Sequence, residues 1–318
     1  MQILSECPGS CEALKGEASW QAAGVGRLPE RLQSWWSTLS DRDHPSLAPA
    51  SGEMASCGLD ALLVIDHASC SQFSAILDAL QQGVSLCPGV AALALEGERF
   101  RGLRDRSWAA VRGNIHLCIL FAPQREVTHF GAGLTMLPTV AVMDTLRALG
   151  TVESVGIKWV NDVLVHGKKV AGALTSTRMA GHVVEHALFG IGLNVASVPD
   201  VEPTRFVNGA GSLAGALGAP MEWHAPLSNL LTQLMRRYRE LMEAGPGPLL
   251  EADRADSIII GHRVRIWPEE ADRELQPRHL LAEGVVEGIE ADLSLRLEGH
   301  GTPISAGRLE LVHDSEGC

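Results

Sequence analysis

From Leu59 onward the chain alternates short apolar runs with stretches of helical period. Ala61-Leu62-Leu63-Val64-Ile65 is a compact apolar run that reads as a buried strand, and Phe73, Ile76, Leu77 and Leu80 recur at helical spacing between Ser71 and Gln82. Gly89 to Leu95 and Ile115 to Phe121 read as further strands, separated by a polar, arginine-rich loop over 96–106 that Trp108 closes. A helix is predicted over Thr135 to Leu149, with Gly150 as its stop. Ile157 to Val165 and Val170 to Thr175 form a predicted hairpin around His166-Gly167, and His186 to Val195 is a further strand. Strands outnumber helices here and several adjoin as hairpins. That pattern implies an α+β fold, a mixed β-sheet flanked by helices rather than a doubly wound parallel sheet.

The two ends of the chain carry different patterns. Pro220 to Met242 places Leu227, Leu230, Leu231, Leu234 and Leu241 at helical spacing, with Arg236, Arg237 and Arg239 in its last turns, where cations suit the helix dipole. Gly245-Pro246-Gly247-Pro248 breaks that helix, and a shorter one is expected to about Asp256. Short strands follow at Arg263–Ile266, Ala282–Ile289, Leu293–Leu297 and Gly307–Leu311, the pattern of a small β-barrel over 257–318 that leans on its neighbour. Residues 1–57 are rich in Gly, Pro, Ser and Ala, with one short helix expected around Leu28–Leu39. They read as a poorly specified extension, and Trp35 and Trp36 as residues that dock it onto the main body, 58–256.

Composition narrows the function classes. A net charge of −12 without a dense Lys/Arg run argues against nucleic-acid binding. The seven cysteines, Cys7, Cys11, Cys57, Cys70, Cys87, Cys118 and Cys318, are scattered and odd in number, which suggests a reducing compartment. Cys7 and Cys11 lack a second ligand pair, so zinc is a weak reading, and any metal ligand set stays unknown. No apolar stretch approaches the roughly 20 residues a spanning helix needs, and Glu6, Glu12 and Glu17 stand where a leader would be basic and apolar. A cytoplasmic protein without a membrane partner is expected.

The candidate chemistry lies in the hairpin. Lys158 and the pair Asn161-Asp162 sit inside apolar, β-prone sequence, and an ammonium withdrawn from water requires a negative partner. Two partners fit: a phosphate or carboxylate ligand, or a structural pairing with Asp162 or a loop carboxylate. Gly172 within an apolar strand marks a bulge, a helix contact or a ligand's close approach, and Asn194 either begins a turn or reads a ligand edge. Ser69 and Ser71 precede a helix; each is a candidate hydrogen-bonding group, and Ser71 is the better candidate for a helix cap. His116 alternates with apolar neighbours and reads as structural.

The order of these motifs resembles the biotin protein ligases of the biotin and lipoate ligase superfamily, over about Leu59 to Val312. Lys158-Trp159-Val160-Asn161-Asp162 is similar to the family's K-W-P-N-D, Lys169-Val170-Ala171-Gly172 to K-x-A-G, and Gly190-Ile191-Gly192-Leu193-Asn194 to G-x-G-[IL]-N. Trp108 followed by Gly113-Asn114 resembles W-x-S-P-x-G-N-L, and the final strands resemble the family's small SH3-like domain. The arginine loop departs from G-R-G-R-R-G-R: Arg101, Gly102, Arg104 and Arg106 persist, while Phe100, Leu103 and Asp105 replace two glycines and an arginine. The family's S-T-N has no clear match at Ser69-Cys70-Ser71, and its glutamine before the loop gives way to Glu96-Gly97-Glu98.

The resemblance implies an enzyme that joins biotin to the α-phosphate of ATP, with Mg²⁺, and passes the biotinyl group to a lysine of a biotin carboxyl carrier domain. It implies catalytic roles for Lys158 and Arg101, and ligand contacts for Ser69, Ser71, Arg101, Gly102, Leu103, Arg104, Arg106, Trp108, Gly113, Asn114, Asn161, Asp162, Gly172 and Asn194. Residues 1–57 offer neither three helices nor a basic face, so no operator-binding winged helix is expected. Such ligases can pair through the main sheet's edge, making a homodimer one expected assembly. A lipoate or octanoate ligase, and a non-catalytic binder of an acyl-adenylate or carrier, are the alternatives.

Overall fold

The computed structural model describes residues 1–126, 130–150, 154–269 and 279–312; Cys318 lies outside them. In chain order the strands of the main sheet are β1 (Gln2–Ser5), β2 (Gln21–Ala22), β3 (Ser46–Pro49), β4 (Ala61–Ala68), β5 (Val90–Gly97), β6 (Ile115–Phe121), β7 (Arg125–Glu126), β8 (Val155–Lys158), β9 (Asp162–Val165), β10 (Lys168–Ala180) and β11 (Val183–Leu193). The helices are α1 (Glu12–Lys15), α2 (Glu30–Leu39), α3 (Gly52–Ala55), α4 (Gln72–Gln81), α5 (Phe130–Ala148), α6 (Leu213–Leu217), α7 (His224–Ala244) and α8 (Gly247–Asp256). The sheet runs β2-β3-β1-β4-β5-β6-β11-β10-β9-β8, with β7 beside β11. β4 pairs in parallel with β1 and β5, and the other pairings are antiparallel, so the sheet is mixed as expected.

Alternation along the strands sends apolar side chains to both faces. Ile115, Leu117, Ile119 and Phe121 of β6 join the core that α5, α7 and α8 cover, while Cys118 and Leu120 face the smaller core under α2 and α4. Burial of Leu227, Leu230, Leu231 and Leu234 explains why α7 lies along α5. A second sheet of order β14-β13-β12-β15 follows, from β12 (Arg263–Trp267), β13 (Ala282–Ile289), β14 (Leu295–Leu297) and β15 (Arg308–Leu311), matching the expected small barrel. Val264, Ile266, Val286 and Leu295 close its interior onto the main core.

Two expectations change. Ile157 to Val165 is not one strand: Asn161 exchanges two backbone-directed bonds with Ala173, donating Nδ2 to its carbonyl at 2.6 Å and accepting its N–H at 3.0 Å. That docking turns the chain at Trp159-Val160-Asn161, where the Trp159–Val160 peptide is cis, and splits the segment into β8 and β9. Residues 1–57, read as poorly specified, supply three strands to the main sheet. Ile3 and Leu4 are fully buried there, and α2 buries Leu32, Trp35 and Trp36.

Candidate active site

Register places six residues in one line across the sheet. Ala94 lies opposite His116, His116 opposite Gly192, Gly192 opposite Gly172, Gly172 opposite Asp162, and Asp162 opposite Lys158. Opposed residues share a face, and their chain neighbours Leu117, Ile191, Ala171, Val163 and Ile157 turn into the core on the other side. The paired glycines leave a trough in the middle of the row, and the Trp108 indole fills it. A Cβ on Gly192 would stand 2.3 Å from the ring's Cζ2. Glycine at this position is therefore a packing requirement.

His116 flanks the trough on one side. Trp108 Nε1 donates to its Nδ1 at 3.2 Å, which makes Nε2 the protonated nitrogen facing the Val111 carbonyl at 3.1 Å. Burial pushes this imidazole down to about 4, against a smaller opposing effect of that carbonyl, so it is neutral at pH 7.

The other side of the trough is cationic. Lys158 is only 5% exposed and donates to the Phe206 carbonyl. Burial pushes its ammonium down to about 8; Asp162 opposes the shift, while Lys169, Arg106 and Arg308 add to it. Lys169 Nζ lies 2.6 Å from Asp162 Oδ1 and 5.7 Å from the Trp108 ring centre. Arg308 of β15 stacks its guanidinium 3.7 Å over the Phe206 ring, which brings the small barrel to the same place. The cleft bordered by Trp108, Asp162, Lys169, Phe206 and Arg308 has a volume of about 720 Å³.

The cleft gathers most of the residues singled out from the sequence. Ser71, Asn161, Asp162, Gly172 and Asn194 stand on its wall, as do Trp108 and, from the arginine loop, Arg101, Gly102, Leu103 and Arg106. That loop is held closed by its own backbone: Gly102 N–H meets the Arg106 carbonyl at 2.6 Å, Arg101 Nη1 the Asp105 carbonyl at 3.0 Å, and Arg106 Nε the Leu103 carbonyl at 2.8 Å. Lys158 sits behind the wall, covered by Phe206.

Other expected residues lie elsewhere. Ser69 is exposed and its carbonyl accepts two bonds from Arg99. Arg104 points to Glu269 of the barrel at 3.4 Å. Gly113, at φ +92, and the fully buried Asn114 form a staple beside the cleft, Asn114 Oδ1 accepting from Val195 N at 2.9 Å and Ser197 N at 3.1 Å. Ser71 makes no side-chain cap to α4; it is 4% exposed and faces the cleft, so the capping expectation is corrected.

Sequence reasoning passed over several wall residues. Phe73 fills the space above Gly190, where a Cβ would meet its ring at 2.8 Å. Gln72 donates Nε2 to the His116 carbonyl at 3.0 Å, and its buried Oε1 has no partner among the described residues. Lys169 is visible in its motif without pointing to a role, and His116 between apolar neighbours reads as structural. The segment 199–207 and Arg308 close the cleft without any local signal, because only the tertiary fold brings them there.

Residues 95–194 match the biotin/lipoate A/B protein ligase family. The chain is 30% identical over 226 residues to the biotin--[acetyl-CoA-carboxylase] ligase of Paracoccus denitrificans, spanning 69% of this chain and 89% of that one. It is also 30% identical over 166 residues to the bifunctional ligase/repressor BirA of Bacillus spizizenii, covering 52% of this chain and half of that protein's length. The Aquifex aeolicus biotin protein ligase solved with biotin and ATP shares the fold, with a TM-score of 0.62 at 18% identity over 80% of this chain and all of that one. The chain belongs to the biotin/lipoate A/B protein ligase family.

Proposed function

We propose that this protein adenylates biotin with ATP, releasing pyrophosphate, and then transfers the biotinyl group to a lysine of a biotin carboxyl carrier domain. The observation that carries the reading is the Lys158 ammonium, 5% exposed, at the end of a cross-sheet row that borders the cleft. When a carboxylate attacks the α-phosphate, two anions meet and negative charge moves toward the leaving pyrophosphate. A fixed cation there offsets the repulsion and gains strength from exclusion of water. The incoming anion takes over from the Phe206 carbonyl as the partner of Lys158. Lys169, Arg106 and Arg308 stand on the cleft wall and supply further positive charge for the phosphates. Arg101, on the wall nearby, is assigned to the phosphates.

No cluster of three or more metal-ligating side chains occurs among the described residues. One carboxylate plus substrate phosphates suffices for Mg²⁺, and Asp162 is the carboxylate that would hold it. Bound there, the ion would neutralise phosphate charge.

The acid's head group fits the wall near Ser71 and Gln72. Gln72 Oε1 is a buried acceptor with its amide orientation fixed by the bond to the His116 carbonyl, so it asks for an N–H donor. A ureido ring supplies one; a dithiolane or an alkyl tail does not. The working division is a catalytic part over 58–256, with 1–57 built onto its sheet, and a barrel over 257–318 that contributes Arg308. We place the reaction in the cytoplasm, in line with two features of the described residues: six free cysteines, and no helix long and apolar enough to cross a membrane.

The test is exchange of radiolabelled pyrophosphate into ATP with biotin, lipoate or octanoate. Exchange with biotin is expected. Exchange with lipoate or octanoate alone overturns the acid assignment, and exchange with none leaves a binding protein.

A further inference from the structure

We infer that His116 is a positioning residue: a neutral imidazole, held in one tautomer, fixes the plane of the Trp108 indole and so sets the floor on which the ligand packs. Both ring nitrogens are committed, Nδ1 as acceptor from the indole at 3.2 Å and Nε2 as donor to the Val111 carbonyl at 3.1 Å. Neither is left for proton transfer or for a ligand. The indole needs such an anchor because the residues beneath it, Gly172 and Gly192, have no side chains to grip it. Apolar packing against Phe100 and Ala94 confines the indole without fixing its N–H, and Lys169 Nζ, held by Asp162 at 2.6 Å, lies 5.7 Å from the ring centre.

The imidazole is itself immobilised from three directions. Its backbone lies between β5 and β11, its carbonyl accepts from Gln72, and Phe100 meets its ring edge-on at 5.7 Å between centres. This arrangement keeps the imidazole dry and neutral. An imidazolium would present a proton at Nδ1 to the indole proton and lose the bond.

The kinetic arm of the test rests on the adenylation reading, and a second arm does not. In the full chain, His116→Phe keeps an aromatic ring but removes the acceptor. It is expected to raise KM for ATP or biotin in pyrophosphate exchange by roughly three- to tenfold, the equivalent of one neutral hydrogen bond, with kcat within about twofold. His116→Gln, which retains an acceptor, is expected to recover most of that loss. In a Trp108→Phe background the indole proton is gone, so adding His116→Phe should change KM no further. Losses that simply add in the double variant, or a fall in kcat with both KM values unchanged, overturn the inference.

The second arm follows the Trp108 indole proton by ¹⁵N-resolved NMR, assigned through Trp108→Phe. Its solvent exchange should quicken by roughly three- to tenfold in His116→Phe and return toward the original rate in His116→Gln. Unchanged exchange in His116→Phe overturns the positioning role whether or not the protein adenylates anything. A wild-type chain silent in the exchange assay with every acid refutes the adenylation reading alone.

Discussion

Gly192 and Gly172 are opposed across β11 and β10, neither has a left-handed backbone, and yet they should respond very differently to one added methyl group. At Gly192 the new Cβ falls 2.3, 2.5 and 2.9 Å from three atoms of the Trp108 ring. Restoring ordinary contact, about 3.4 Å, moves the ring by about 1 Å, and the indole–imidazole bond at 3.2 Å has little slack to give. Overpacking of about 1–3 kcal/mol plus about 1 kcal/mol for the broken bond gives roughly 2–4 kcal/mol lost for Gly192→Ala. At Gly172 the nearest atoms are Cε and Nζ of Lys169 at 3.1 Å, the end of a flexible chain, and the ring is 3.6 Å away. Gly172→Ala should therefore cost under about 1 kcal/mol, because the alanine also narrows the unfolded ensemble. Urea unfolding of both variants, read from midpoints at constant slope, measures the two losses. Equal losses, or a larger one at Gly172, would refute the claim that the indole rests on Gly192.

Outcomes at three further positions follow. Lys158→Met should lower adenylation by at least about 10²–10³-fold. Because Lys158 falls from 10.5 to about 8 on folding, the folded state of the wild type gains stability as pH rises from about 8 to 10.5, so its Tm relative to Lys158→Met should climb across that window; a constant difference would contradict the buried charge. Asp253 is pushed up to about 7 by burial and then by Asp256, so the folded state holds a proton that the unfolded state sheds above about 4. The wild type should lose stability between about pH 4 and 7 relative to Asp253→Asn and run parallel to it above, which paired melts at pH 5 and 8 will show. Asp105 occupies a left-handed conformation at φ 56, so Asp105→Gly should raise stability by up to about 1 kcal/mol and lower KM for ATP by removing a negative charge; a lower Tm would count against the first and an unchanged KM against the second.

Much of this was legible from the sequence because period and motif spacing are local signals. Strands at Ile115–Phe121 and Ala282–Ile289 coincide with prediction, since continuous or alternating apolar runs have one stable disposition in a sheet. The hairpin motif likewise points to Lys158, Asp162 and Gly172, of which the last two stand on the cleft wall. What stayed hidden depends on distant partners. β1 and β3 are four residues each and are held by pairing with one another, β1 also with β4 and β3 also with β2. His116 looked like any buried polar residue on a strand, because its importance comes from Trp108, eight positions away, folding back over the glycines. Gly113 and Asn114 sit in a motif together with Trp108, yet only Trp108 reaches the cleft; spacing cannot separate a wall from the staple that supports it.

The altered arginine loop makes physical sense when Gly97 and Phe100 are taken as a pair. A Cβ on Gly97 would lie 2.5 Å from Phe100 Cε2 and equally close to the Ala68 carbonyl, so the glycine within Glu96-Gly97-Glu98 leaves room for the Phe100 ring. Phe100 turns inward, 7% exposed, against Ile65, Ala68, Ala94 and Ala110. That ring dries the edge of His116, and the dry imidazole stays neutral and able to accept from Trp108. Meanwhile Arg104, at φ 57, reaches Glu269 and ties the loop to the barrel. A glycine-rich loop orders itself around its ligand and loses entropy in doing so. Here the ring beneath, the three backbone-directed bonds within and the ion pair outside have fixed the loop in advance, exchanging adaptability for preorganisation.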